Sequence, residues 1–216
     1  LLPFFEDREV NLAYAQSNVI DENGIVQGDY ALCFPELSST KWLKSYVNSG
    51  QAEFEAGLAI KNTILNASAV VFRKPPLELM EEVLRDFKLS GDWYLYLNIL
   101  QDARIAYCPD RLNYHRRHGG SIIAKHGDRE VAIAEMGRIH SFLLETLEPG
   151  DELLERMVAY AFEIWQAENT SAPVSEFWKL YALQVSNERR QNLQEHLLGA
   201  GPESRDWVPV SGTIDA

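Results

Sequence analysis

The chain has 216 residues, 46% of them hydrophobic, including nine Phe, nine Tyr and five Trp. That is enough apolar surface for a sizeable core in one domain, or one domain plus an appendage. The net charge of −12 argues against wrapping a nucleic-acid backbone, and no apolar run approaches the roughly 18 residues of a membrane span. In chain order, Asn11 to Ile20 reads as a strand, and Asp21-Glu22-Asn23-Gly24 is a turn signal before Ile25-Val26, which together predict a hairpin. Trp42, Leu43, Tyr46 and Val47 are spaced for one buried face of a helix over Lys41 to Val47, stopped by Asn48-Ser49-Gly50. Asn62 to Asn66 is expected to be a loop and Ala67 to Arg73 a buried strand. Pro75-Pro76 then ends the strand and starts a helix over Leu77 to Phe87.

Asp92 to Leu100 reads as an amphipathic helix, and Arg104 to Tyr107 and Leu112 to Arg116 read as two strands. Beyond about Gly127 the pattern becomes helical. One helix ends at Glu148-Pro149-Gly150, a second starts at Asp151, and a third follows Pro173 and turns polar around Asn187 to Gln194. The expected organisation is therefore a mixed α/β segment over 1–126, a three-helix appendage over 127–198 and a loose tail over 199–216. Leu1-Leu2-Pro3-Phe4-Phe5 lacks the basic start and apolar core of a signal peptide, and without an initiator Met the chain is expected to begin inside a longer gene product. Cys33 and Cys108 lie far apart with no CxxC. Two reduced cysteines fit a cytoplasmic location, or a peripheral one at the inner face of the membrane.

Charge is distributed unevenly. Residues 1–60 hold three Lys/Arg against nine Asp/Glu, residues 61–126 ten against seven, and residues 127–216 seven against sixteen. The middle segment is the one suited to a small anion. Within it, Asp92 stands at the start of a helix, where the dipole favours the ionised carboxylate, and a carboxylate so placed can serve as a general base or as a plain N-cap. Arg116, Arg117 and His118 form a cationic cluster beside His115: guanidinium groups fork onto phosphate oxygens, and a neutral imidazole can hold a divalent cation. Strand alternation points Tyr114, Arg116 and His118 to one side and His115 and Arg117 to the other, which favours Arg116 and His118 for one site. Asn62 and Asn66 bracket a loop whose amides suit sugar or base hydroxyls, although Asn is also an ordinary turn residue.

Four fragments occur together in one order. They are Leu12-Ala13-Tyr14-Ala15-Gln16-Ser17 with Ile20-Asp21-Glu22-Asn23-Gly24; Lys61-Asn62-Thr63-Ile64-Leu65-Asn66-Ala67-Ser68 leading into Val70-Val71-Phe72-Arg73; Gly91-Asp92-Trp93; and Leu112-Asn113-Tyr114-His115-Arg116-Arg117-His118. From about Val10 to Ser121, roughly half of the chain, this set resembles the inverting family 2 glycosyltransferases, nearest to bacterial transferases of O-antigen and surface-polysaccharide assembly. The resemblance implies the C-terminal part of a GT-A fold with a mixed sheet. It also implies transfer of a sugar from a nucleotide-diphosphate donor to a saccharide acceptor with inversion, assisted by Mg²⁺ or Mn²⁺. Asp92 would be the catalytic base, and Arg116, Arg117 and His118 would lie at the donor diphosphate, with His118 at the metal. Asn62, Asn66 and Trp93 would face the sugar or acceptor.

The family's Asp-x-Asp metal motif does not occur in this chain, so the expectation is an acceptor-side half that works with a missing N-terminal half and is inactive by itself. The acidic helices after Gly127 would then dock a partner domain or a second copy. Two other classes are open: a non-catalytic scaffold derived from a transferase fold, and a metal-dependent hydrolase using Asp92, His115 and His118.

Overall fold

A computed structural model describes residues 1–117, 129–167, 169 and 171–199. It is a mixed α/β structure built on one curled, mixed sheet. The central strand β1 (Val10–Ile20) is buried along almost its whole length, its polar Gln16 and Ser17 included, as in a strand covered on both faces. Its parallel partner β5 (Arg104–Arg116) is a single strand where the sequence suggested two; the pairing shifts register on both sides of Gln16 and so absorbs Pro109. On the other edge of β1, β2 (Val26–Asp29) pairs with residues 18–20 and β4 (Val70–Phe72) with residues 12–14, both antiparallel. β3 (Tyr46–Ser49) closes the sheet against β5.

The expected hairpin forms as read. The Asp21 carboxylate accepts from the amides of Asn23 and Ile25, both at 2.9 Å, and Gly24 takes φ +85°, which a glycine adopts at no steric cost. The helix expected over Lys41 to Val47 is not there. Lys41–Leu43 makes one 3₁₀ turn and Tyr46 onward is strand. Pairing of Tyr46 and Val47 with Tyr107 and Ala106 of β5 outweighs a seven-residue helix that would be marginal alone. The buried strand expected over Ala67 to Arg73 is a 3₁₀ turn, Ala67–Ala69, followed by the short, half-exposed edge strand β4.

Short helix α1 (Gly50–Glu53) runs into a π turn over Phe54–Leu58. Helices α2 (Leu77–Asp86) and α3 (Gly91–Ile99) stand within a residue of their expected bounds. α3 is not amphipathic, however: Trp93, Tyr94, Leu95, Tyr96 and Leu97 are all buried. The cover comes from the C-terminal helices α4 (Arg129–Thr146), α5 (Asp151–Gln166), α6 (Val174–Tyr181) and α7 (Asn187–Gly199). Four helices are thus described there, because the expected third helix breaks after Tyr181, where Ala182 adopts φ +47°. One apolar cluster runs from Leu12 and Tyr14 through Trp93, Tyr96 and Leu97 to Ile133, Ile139, Phe162, Phe177 and Leu197. It therefore crosses the boundary suggested near residue 126. The tail from residue 200 lies outside the described residues.

Candidate functional site

Asp92 is the second residue of α3, and its surroundings are set from three directions. The Asn62 side-chain amide donates to Asp92 Oδ1 at 3.4 Å and the Trp93 backbone amide to the same oxygen at 2.7 Å. Neither bond uses Oδ2. Burial raises the Asp92 pKa above the ordinary carboxylate value, against the hydrogen bonds from Trp93, its own amide and Asn62, and the charge of Glu135 on α4 adds to the rise. The dipole argument predicted the opposite direction. Desolvation of the charged form outweighs a helix terminus whose contribution is a fraction of a unit to about one unit. No cation stands among the groups that act most on Asp92.

Trp93, expected to face a sugar, is 2% exposed. Its indole N–H donates to the Leu58 carbonyl at 2.8 Å, so it ties α3 to the segment that leads to Asn62 and presents no open ring face. Asn66 is also turned inward: Oδ1 accepts from the Ser68 amide at 3.1 Å and Nδ2 donates to Ser17 Oγ at 3.1 Å. The 62–66 loop thus spans from the Asp92 carboxylate at one end to the buried Ser17 of β1 at the other. At that second end lies a small cavity of about 20 Å³ of mixed lining, with Gln16, Ser17, Thr63 and Asn66 beside Phe34, Trp42 and Ile64, and room for about one water.

The cationic tract is split, as alternation requires. The Arg116 guanidinium donates to the carbonyls of Asp21 and Glu22 at 2.9 and 2.8 Å, which staples the end of β5 to the β1–β2 turn. Arg117 and His115 take the other side with Tyr30. The Tyr30 hydroxyl and His115 Nδ1 are 2.7 Å apart, and the Arg117 guanidinium acts on the same phenol, opposing the rise that burial imposes on its pKa. Burial and the adjacent Arg117 both hold His115 below its ordinary value, which favours the neutral ring, and its tautomer decides which of the two groups donates. The tract residues expected to act together therefore face different partners. His118, the expected metal ligand, lies outside the described residues. Among the described residues no three His, Cys, Asp or Glu side chains converge on one point as a metal set, and His115, which a hydrolytic reading pairs with His118 and Asp92, is committed to Tyr30.

The structure thus brings Asp92 and Asn62 into contact and links Asn66 to Ser17. It puts none of the described tract residues in contact with Asp92. Gln16 and Ser17, present in the first of the four fragments but given no role there, form a buried polar pair in β1, and Tyr30 has no sequence signal. No family model, no curated protein and no solved structure matches the chain.

Proposed function

We propose that these residues form the acceptor-side half of an inverting glycosyltransferase of GT-A type, acting in cell-surface polysaccharide synthesis. Asp92 is the base. Its Oδ2 takes the proton of an acceptor hydroxyl as that oxygen attacks the anomeric carbon, the bond from that carbon to the nucleoside diphosphate breaks, and the configuration inverts. One observation carries the reading: a partly desolvated carboxylate in the first turn of α3, with no cation among the groups that act most on it, oriented by a neutral amide from a facing loop. Desolvation raises its proton affinity, which favours a base, and the bonds from Asn62 and Trp93 both fall on Oδ1. A structural N-cap carboxylate has a different signature, with the solvent or a cation keeping its pKa low.

On the donor side, Arg117 is the cation that acts on the Tyr30 hydroxyl and the His115 imidazole. Tyr30, His115 and Arg117 lie where the parallel pair β1/β5 ends, and ligands of open α/β sheets collect outside the carboxyl ends of parallel strands. Mg²⁺ or Mn²⁺ would neutralise the departing diphosphate, and no residue described here is assigned to it.

The test is transfer by the full-length gene product from a panel of nucleotide-diphosphate sugars. Asp92→Asn is expected to lower turnover by about 10²–10⁴-fold, the usual worth of a general base, with nucleotide-sugar binding retained in a direct titration. Full turnover by the variant would remove Asp92 from the chemistry and the reading with it.

A further inference from the structure

Helix α4 carries two buried polar side chains, Glu135 and His140, that reach the segments on either side of the Asn62–Asp92 contact. The Glu135 carboxylate is 4% exposed. Oε1 accepts from the Lys88 amide at 2.6 Å, Oε2 from the Ser90 amide at 2.7 Å, and the Leu89 amide donates to both, at 3.3 and 3.1 Å. A carboxylate is held out of water only where donors such as these replace its hydration. The three amides belong to consecutive residues immediately before α3. Ser90, the N-cap, makes no side-chain cap bond of its own, so Glu135 fixes the approach to that helix from across the core.

Gly91 fixes it from the other side. A Cβ there would stand 2.9 Å from Val83 Cγ1 and 3.2 Å from Phe87 Cβ, so the chain passes tight against α2 between Glu135's anchor and Asp92. Five residues along α4, His140 is fully buried. Its Nδ1 pairs with the Tyr181 hydroxyl, its ring meets Trp93 edge-on with centroids 5.7 Å apart, and the backbone of Ala59 and Ile60 lies against it. That backbone leads directly to Asn62. One helix therefore braces both halves of the Asn62–Asp92 contact.

We infer that Glu135 is a positioning residue for Asp92, setting the orientation of its carboxylate toward the acceptor through the Lys88–Ser90 amides. The inference rests on the reading of Asp92 as the base. It gives the acidic C-terminal helices a share in the site. The titratable groups that act on Asp92 are Glu135 from α4 and Tyr96 from its own helix, while Asn62, from the facing loop, is neutral. Removing the Glu135 charge therefore lowers the Asp92 pKa, and the acid limb of the rate profile moves to lower pH.

The experiment compares Glu135→Gln, Glu135→Asp and Asp92→Asn in the full-length protein. Glu135→Gln keeps the shape but replaces one accepting oxygen with an NH₂ that faces amide donors. The expected result is a loss in kcat of about 10²-fold, the scale of a misplaced catalytic group, with the KM for donor within about twofold and the acid limb displaced downward. Glu135→Asp, which keeps the charge but retracts it by one methylene, should lose kcat with the acid limb in place; it also serves if the Gln variant does not fold. A Gln variant with wild-type kcat and an unmoved acid limb, changed only in melting temperature, makes Glu135 a structural cap and overturns the inference while an inactive Asp92→Asn leaves the base reading standing. Turnover by Asp92→Asn overturns both.

Discussion

The carboxylate wall and the cation wall of the proposed site are held in opposite ways. Asp92 is braced from three sides: half-buried Asn62 of the loop, buried Trp93 beside it, and buried Glu135 reaching from α4 through the Lys88–Ser90 amides. The cationic tract is exposed at the end of a strand. Arg116 is secured only to the carbonyls of the Asp21–Glu22 turn, and Arg117 shares a phenol with a neutral imidazole. The difference has a physical reading. A base must keep one proton affinity and one direction, which takes a dry, overdetermined setting, whereas a charged leaving group is served by cations that can still move and stay solvated until it arrives.

The strongest way to break the braced wall is at Gly137. It lies on α4 between Glu135 and His140, and a Cβ there would sit 1.6 Å from the Tyr181 carbonyl oxygen. That neighbour is backbone, so α4 and α6 would have to separate. Gly137→Ala is expected to cost about 3 kcal/mol or more, at or above the top of the usual range for overpacking because the clash is with backbone, and to lower the melting temperature by roughly 6 °C or more for a chain of this size. A calorimetric or circular-dichroism melt checks it. Unchanged melting would show that the α4–α6 crossing is looser than described, and with it the support for Asp92.

A second effect comes from His140, which burial pushes down to about 3. Its folded pKa lies below its unfolded value of about 6.5. Between those limits the unfolded chain binds the proton and the folded chain does not, so stability rises with pH across the window and is lost as pH falls through it. The slope from this one group approaches 1.4 kcal/mol per pH unit. Urea melts at pH 5.5 and 4.5 measure it, and His140→Gln, which keeps a polar group toward Tyr181 without a titration, should flatten that slope. An equal slope in the variant would assign the acid sensitivity to other groups.

These two effects also mark what the sequence could not convey. The strand β1, the Asp21–Gly24 turn and helices α2 and α3 follow from local patterns: partial apolar alternation, an Asx turn with glycine, a Pro-Pro start, a dense aromatic and leucine segment. Each is decided within about ten residues. Tyr46 and Val47 were misread because their apolar spacing also suits a helix, and their pairing with β5, some sixty residues away, decided the outcome. Asp92 and Asn62 could be picked out by type and position. The direction of the Asp92 pKa could not, because it depends on helices that bury α3 all round. Glu135 looked like one more acidic residue in an acidic region. Nothing local says that its partners are the amides of Lys88, Leu89 and Ser90.

The smallest expected effects bear on the exposed wall, where two adjacent arginines should behave differently. Arg116→Ala removes two hydrogen bonds to the Asp21 and Glu22 carbonyls at a surface where water replaces them, so it should lower stability by at most about 1 kcal/mol and leave nucleoside-diphosphate affinity near wild type. Arg117→Ala gives up a hydrogen bond to the half-buried Tyr30 phenol in place of a staple to the turn, since its side chain points with His115 and Tyr30. It should leave the melting temperature within a degree or two and weaken nucleoside-diphosphate binding by about tenfold, the scale of one charge-assisted hydrogen bond. Isothermal titration of both variants of the full-length protein with the same nucleoside diphosphate separates them. If the affinity is lost with Arg116 and kept with Arg117, the donor lies on the Tyr114 side of β5, and the Tyr30–His115 face has another role.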